Sequence, residues 1–351
     1  MNADPFNESF QTWIQESLDG KSPGLPLIHE SRTPEEKGAL FARCLFLFSA
    51  MAALIEEQSL VTRKGAESAN SSPSPLELLL SRPEGRFLEF LRPFDGEFKP
   101  HFLKTLQGLF RALASELVQE VPPSVAMYPF FMKACVREMD FLCEGEGAVS
   151  RLLYRAFDRL DEALVLDYSG DRAMEANPQL RERLYEGAGE GVQTSYETIL
   201  TLLRQLRLPP DAHLMDLGSG FGRVGLIAGL LRPDLSFSGY EYVSHRVLIS
   251  ETASRNCGVA DRVRFYQQDL SQEDFQIPPA DAYYMYDPFC RETYVQVLGR
   301  LNELARHRPM IVITKADAAS WFAESLDQNR WLEPEPCDGG TIQIFRTRPE
   351  G

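Results

Sequence analysis

The residues best suited to chemistry begin where an apolar segment runs into glycines: Leu214-Met215-Asp216-Leu217-Gly218-Ser219-Gly220-Phe221-Gly222-Arg223-Val224-Gly225. A strand that enters a side-chain-free turn and reopens as a helix is a ligand cradle. Backbone can approach a ligand where any Cβ would clash, and the helix start offers unpaired N–H groups. The spacing Gly220-x-Gly222-x-x-Gly225 also fits a dinucleotide fingerprint. Asp216 separates the two readings, because a carboxylate at the strand end repels a pyrophosphate and suits a positively charged amino group.

Three further motifs close apolar segments. Gly239-Tyr240-Glu241, followed by Tyr242, places an acid 23 residues after Gly218, where a strand-end carboxylate accepts from ribose hydroxyls. The plainer reading of Glu241 is a solvated strand-end carboxylate. In Gln268-Asp269-Leu270 the carboxylate suits an exocyclic amine and the Leu suits the face of a base. Asp269 also reads as a helix cap before Leu270-Ser271-Gln272-Glu273. Tyr286-Asp287-Pro288-Phe289 offers an acid and a phenol to orient a nucleophile or take its proton, and Asp-Pro also forms turns. All four motifs end strands, the edge at which open α/β sheets bind ligands. Upstream, Thr194 and Ser195 read equally as helix caps or ligand contacts, and Arg223 reads as a solvated first-turn residue. Tyr283, Tyr284 and Tyr286 share a strand, one face of which must be core.

The elements that must position these residues follow from periodicity. Short apolar strands are expected at 213–217, 236–241, 262–267, 281–286 and 310–314, with helices at 221–231, 245–257 and 291–306. That rhythm predicts a doubly wound, mostly parallel α/β sheet. Trp331–Cys337, the turn Asp338-Gly339-Gly340 and Thr341–Thr347 predict an antiparallel hairpin that completes seven strands. Before residue 165 the spacing is helical, with helices expected at 34–60, 75–81, 99–120, 124–142 and 147–165. A Ser/Pro-rich loop lies at 68–75, and one apolar stripe runs from Phe102 to Leu117. The expected organisation is an α-helical domain over 1–165, of no assigned role, and an α/β domain over 166–351 that carries the site.

A chain of 351 residues suits about two domains. Its net charge of −15 argues against holding nucleic acid or anionic membrane by bulk charge. The six cysteines form no C-x-x-C pair, and none of the five histidines sits at metal-ligand spacing from one. No metal site and no disulfide framework is expected. Reduced thiols and a first segment without a signal-peptide pattern point to a cytoplasmic protein. The 11-residue apolar run Leu45–Ile55 is too short to span a bilayer, which takes about 20.

The order of motifs resembles the class I (seven-β-strand) S-adenosylmethionine-dependent methyltransferases over residues 185–347. The resemblance implies a Rossmann-like fold and S-adenosylmethionine as cofactor. It implies that Asp216 with Gly218, Ser219, Gly220 and Gly222 holds the methionine end. Glu241 would then hold the ribose, Asp269 and Leu270 the adenine, and Tyr242 would be a further cofactor contact. A narrower likeness joins Gly191-Val192-Gln193-Thr194-Ser195-Tyr196 to the glycine motif, Gly239-Tyr240-Glu241 and a fifth strand ending Thr314-Lys315. This pattern is similar to the non-SET histone-lysine methyltransferases of the disruptor-of-telomeric-silencing family. It implies that the loop carrying Thr194 closes over the cofactor and that the Tyr286–Phe289 segment, Asp287 included, borders both cofactor and lysine channel. Here Asp287-Pro288 stands where that family carries Asn. Asp287-Pro288-Phe289 is also one Pro short of the Asp-Pro-Pro-aromatic motif of nucleic-acid amine methyltransferases.

The expected activity is methyl transfer to an acceptor nucleophile, with a protein lysine amine as the leading acceptor and Asp287 and Tyr286 as catalytic residues. A lysine amine, with a pKa of about 10.4, must lose a proton before attack. The rivals are a small-molecule methyltransferase, a non-catalytic binding protein on the same fold, and an NAD-dependent oxidoreductase. No membrane partner is expected, and nucleic acid is disfavoured by charge.

Overall fold

The computed structural model describes residues 160–172, 174, 193–288, 290–316, 318–326 and 329–348, with Glu16, Gly108, Met132, Lys133 and Val136. The chain divides into two compact units, Met1–Leu160 and Asp161–Gly351. In the first, Gly108, Met132, Lys133 and Val136 are helical, and Met132 and Val136 are fully buried one turn apart. The rest of the helices expected before 160, the 68–75 loop, the other residues of the Phe102–Leu117 stripe and the Leu45–Ile55 run lie outside the described residues. So do Cys44, Cys135 and Cys143, whereas Cys257, Cys290 and Cys337 are free thiols. Among the described residues no helix is long and apolar enough to cross a membrane.

The described elements are, in chain order, α1 (Leu160–Leu164), α2 (Ser169–Arg172), α3 (Tyr196–Leu206), β1 (His213–Leu217), α4 (Arg223–Leu231), β2 (Ser236–Glu241), α5 (Ser244–Asn256) and β3 (Val263–Gln267). They continue with β4 (Ala282–Tyr286), α6 (Arg291–His307), β5 (Ile311–Lys315), α7 (Ala318–Ser325), β6 (Glu335–Cys337) and β7 (Ile342–Arg346). The seven strands form one sheet in the order β3-β2-β1-β4-β5-β7-β6. β1 to β5 run parallel, and β7 is antiparallel to both β5 and β6. This is the doubly wound sheet with a closing hairpin that the sequence rhythm predicts.

Burial explains the strand sequences. β1 and β4 sit centrally and are buried on both faces, so apart from His213 at the start and Asp216 they read as apolar or aromatic runs, as covered parallel strands do. The core face expected of β4 is present, and the other face is covered as well: Tyr283 and Tyr284, which point to opposite faces, are both fully buried. Edge strand β3 alternates buried and exposed residues over Val263–Phe265. β6 is shorter than expected because Pro334 and Pro336 cannot donate to a ladder; a single bridge, Trp331 to Thr347, carries the pairing further. Helix α7 has no periodic stripe to announce it. It is anchored by Phe322, whose ring meets Phe345 at 4.7 Å and Trp331 at 5.1 Å.

Register sets the site. Asp216 pairs across with Gly239 of β2 and Tyr284 of β4, and Tyr286 pairs with Lys315 of β5. The carboxyl ends of four neighbouring strands therefore converge.

Candidate functional site

Asp216, one residue before the end of β1, has 2% of its surface exposed. Its Oδ1 is buried without a hydrogen-bond partner, as is the Oγ of Ser219. Burial, with the Glu241 carboxylate beside it, pushes the Asp216 carboxyl well above the ordinary carboxylate range. An unpaired buried carboxylate costs several kcal/mol, so this atom is placed against the fold's own interest.

The glycine turn is folded down onto the end of β2. The amides of Gly218 and Ser219 both donate to the Tyr240 carbonyl, at 2.8 and 2.9 Å. The Gly220 amide donates to Glu241 Oε2 at 2.8 Å. These three N–H groups are engaged within the chain and do not form an anion cradle, which removes much of the physical basis for a pyrophosphate. The expectation that the glycines clear space for a ligand is corrected at two positions. Gly218, at φ +100°, leaves room for the Pro288 ring, with which any Cβ would collide. Gly222, at φ +82°, caps α4 and leaves room for Phe265, whose ring a Cβ would meet at 2.6 Å. Only at Gly220 would a side chain find ordinary contact distance, 3.6 Å from Gln193.

Glu241 is buried and structured, which displaces the solvated reading. Its Oε1 accepts from the Val243 amide at 2.9 Å and faces Arg246 Nη1 at 3.6 Å. Arg246 is in turn held by Asp171 at 2.7 Å, and so is His245, also at 2.7 Å. Tyr242 is half-buried just beyond the strand. Asp269 Oδ1 accepts from the Ser271 amide at 2.9 Å and hydroxyl at 2.6 Å, so it caps a turn where a helix was the rival expectation. Leu270 is 1% exposed and belongs to the core with Met215, Leu217 and Tyr283. The expectation that its side chain lies against a base is therefore corrected: core packing leaves that side chain no open face.

Asp287 follows β4 with φ +37°, a conformation uncommon for a residue with a Cβ. It is buried, and the Tyr294 hydroxyl donates to its Oδ1 at 3.4 Å. It is thus both a turn residue and an acid set at the strand end; Tyr286 beside it is half-buried. Phe289 lies outside the described residues. Ser195 is the N-cap of α3, accepting from the Thr198 amide at 3.2 Å. Thr194 instead bonds across to the Tyr284 hydroxyl at 2.8 Å, so of the two upstream hydroxyls only that of Ser195 caps the helix.

A group that sequence reasoning missed lies behind the glycine turn. Asp161 forms a buried ion pair with Arg223 and also accepts from the hydroxyls of Tyr196 and of Tyr168, the latter at 2.6 Å. Arg223 Nη1 reaches the Thr194 carbonyl at 3.2 Å, and its guanidinium lies 4.7 Å over the Tyr196 ring. Arg223 is therefore no solvated first-turn residue. The one available signal was an Arg opening an otherwise apolar helix, Arg223–Leu231. Its partner, 62 residues earlier, has no sequence signature.

No protein-family model matches the chain. A curated relative, the probable cobalt-precorrin-6B C(15)-methyltransferase (decarboxylating) of Pyrobaculum calidifontis, is 30% identical over 112 residues, covering 31% of this chain and 57% of that protein. The chain thus spans little more than half the length of this relative. Among solved structures, precorrin-6y C5,15-methyltransferase from Geobacter metallireducens is similar with a TM-score of 0.37 and 15% identity, over 46% of this chain and 92% of that one. An RNA methyltransferase from Salinibacter ruber in complex with S-adenosyl-L-homocysteine gives 0.35 and 23%, over 46% and 95%. The sheet of the Asp161–Gly351 unit, five parallel strands closed by an antiparallel hairpin in the order β3-β2-β1-β4-β5-β7-β6, has the Rossmann-like fold of the class I methyltransferases.

Proposed function

We propose that the Asp161–Gly351 unit binds S-adenosylmethionine at the ends of β1, β2 and β3 and transfers its methyl group to an acceptor amine. The observation that carries this reading is the buried, unpartnered Oδ1 of Asp216 beside a second buried carboxylate, Glu241. An ammonium satisfies that oxygen, whereas a phosphate would add like charge in a low-dielectric site.

Asp216, with Ser219 Oγ, would hold the amino-acid end. Glu241 keeps lone pairs for ribose hydroxyls after accepting from Gly220 and Val243. Asp269, with Oδ1 already on Ser271, would meet the adenine amine through its other oxygen. Thr194, held through its carbonyl by Arg223, would help close the methionine end. When bound, the cofactor supplies a sulfonium methyl already activated for in-line transfer. The chain therefore needs only to align the acceptor, exclude water and accept a proton. Asp287 and Tyr286 would serve the last of these.

A protein lysine is the finer reading of the acceptor, and it rests on the Thr194–Ser195 segment and the fourth-strand motif. A small-molecule acceptor is the second reading, favoured by the 30% identity to a relative named for a cobalt-precorrin. Calorimetric titration with S-adenosylhomocysteine and with NAD tests the cofactor: binding of the first alone is expected, and tighter NAD binding overturns the proposal. Radiolabelled methyl transfer to host lysate, split into protein, small-molecule and nucleic-acid fractions, then separates the acceptors. Label confined to nucleic acid would refute both acceptor readings.

A further inference from the structure

A second buried polar cluster joins three elements beside the candidate site. Lys315 ends β5 in register with Tyr286 of β4. Its side chain is buried, and Nζ stands 5.2 Å over the Tyr286 ring, 3.7 Å from Asp338 Oδ2 and 3.5 Å from Thr198 Oγ1. Thr198 Oγ1 donates to Asp338 Oδ2 at 2.7 Å and accepts from Ser195 Oγ at 2.9 Å. Ser195 follows Thr194, which bonds to Tyr284 on β4. An unbroken path of contacts therefore runs from Tyr286 through Lys315, Asp338, Thr198 and Ser195 to Thr194.

Two features set this path apart from incidental packing. Asp338 delivers its carboxylate from a left-handed conformation, φ +50°, at the head of the hairpin turn. Asp takes that conformation readily in a hairpin turn, so the turn fixes where the carboxylate sits. Lys315 is an ammonium kept in the interior although burial disfavours its charge; Asp338 and Glu197 offset that burial in part. Where stability alone is at stake, well-packed apolar residues serve as well as a buried ion pair.

We propose that Lys315 and Asp338 are positioning residues, a bracket that sets the Tyr286 ring and the Thr194–Ser195 segment on opposite sides of the site. The inference rests on the S-adenosylmethionine reading above. It is tested by titrating S-adenosylhomocysteine into the full chain, with variants verified as folded at the assay temperature by circular dichroism. Lys315→Met and Asp338→Asn should each weaken binding about tenfold, the scale of one charge-assisted hydrogen bond. The double variant should be no weaker than the worse single variant, because the two act as one unit. Lys315→Arg, which keeps the charge, should bind more tightly than Lys315→Met; a merely structural loss would appear in the melting temperature and leave the folded protein's affinity unmoved. Should Lys315→Met not fold, Asp338→Asn and Thr198→Val carry the same expectation. Wild-type affinity in the single variants, or losses that multiply fully in the double, overturns the bracket. No binding by the wild type overturns the cofactor reading first, and the bracket with it.

Discussion

Asp161 and Asp216 are both buried carboxylates of the same unit, 7% and 2% exposed. Their surroundings are opposite. Asp161 meets a guanidinium and two phenolic hydroxyls, so both its oxygens are engaged. Asp216 has one oxygen with no donor and a neighbouring carboxylate that raises its pKa. The cause is position. Asp161 sits on a helix facing residues with long donor side chains. Asp216 sits in a central strand whose neighbouring amides are bound in the sheet ladder or in the turn above it. The comparison separates framework from ligand chemistry: a saturated buried acid holds the fold together, and an unsaturated one is retained for something that binds.

The largest expected effect falls on the framework acid. Asp161→Ala leaves Arg223 buried without its carboxylate and should cost about 3–5 kcal/mol of unfolding free energy in urea. A loss below about 1 kcal/mol would remove the contrast from that side. Asp216→Asn should do the reverse, weakening S-adenosylhomocysteine by about 10–100-fold, the range of a charge-assisted bond, while unfolding stability stays level or rises. If it destabilises as Asp161→Ala does, Asp216 is framework too. Glu241→Gln should fall between, because Glu241 caps the Gly220 and Val243 amides as well as facing the site. About 1 kcal/mol of stability and about tenfold in affinity should be lost together.

The smallest effect is a pH slope. The Asp216 pKa is raised in the folded chain, so its protonated form favours folding. Stability is lost as pH rises above the unfolded value of about 3.9 towards the raised folded one. The stability difference between Asp216→Asn and wild type should therefore grow with pH across that window. Wild-type affinity for S-adenosylhomocysteine, which needs the anion, should rise over the same range. A flat profile in both measurements would place the Asp216 charge outside the binding event.

Much of the architecture was legible because it is written locally. Strands 213–217 and 236–241 begin and end where the sequence predicts, because Pro and Asp turn residues precede each short segment, at 209–211 and 233–234. The glycine turn was legible as a turn and misread in purpose at Gly218 and Gly222, because a missing Cβ records that something comes close without naming it. Here the visitors are Pro288 and Phe265. Helix α7 escaped notice because two adjacent rings hold it, Phe322 on Phe345 and Trp331 and Trp321 on Tyr294, and neighbours in sequence give no helical period.

What the sequence by itself determined is the set of strands, their alternation with helices, the closing hairpin and the acids at the strand ends. Each depends on residue type and spacing within a dozen positions. What only the tertiary structure decided is which acids are paired. Asp161 finds Arg223 across 62 residues, and Lys315 meets Asp338 through a hairpin that folds back on β5. Charge pairing acts through space and depends on burial, which no local pattern encodes. The same Asp that repels a ligand in one setting binds it in another, and the sheet register chose the setting.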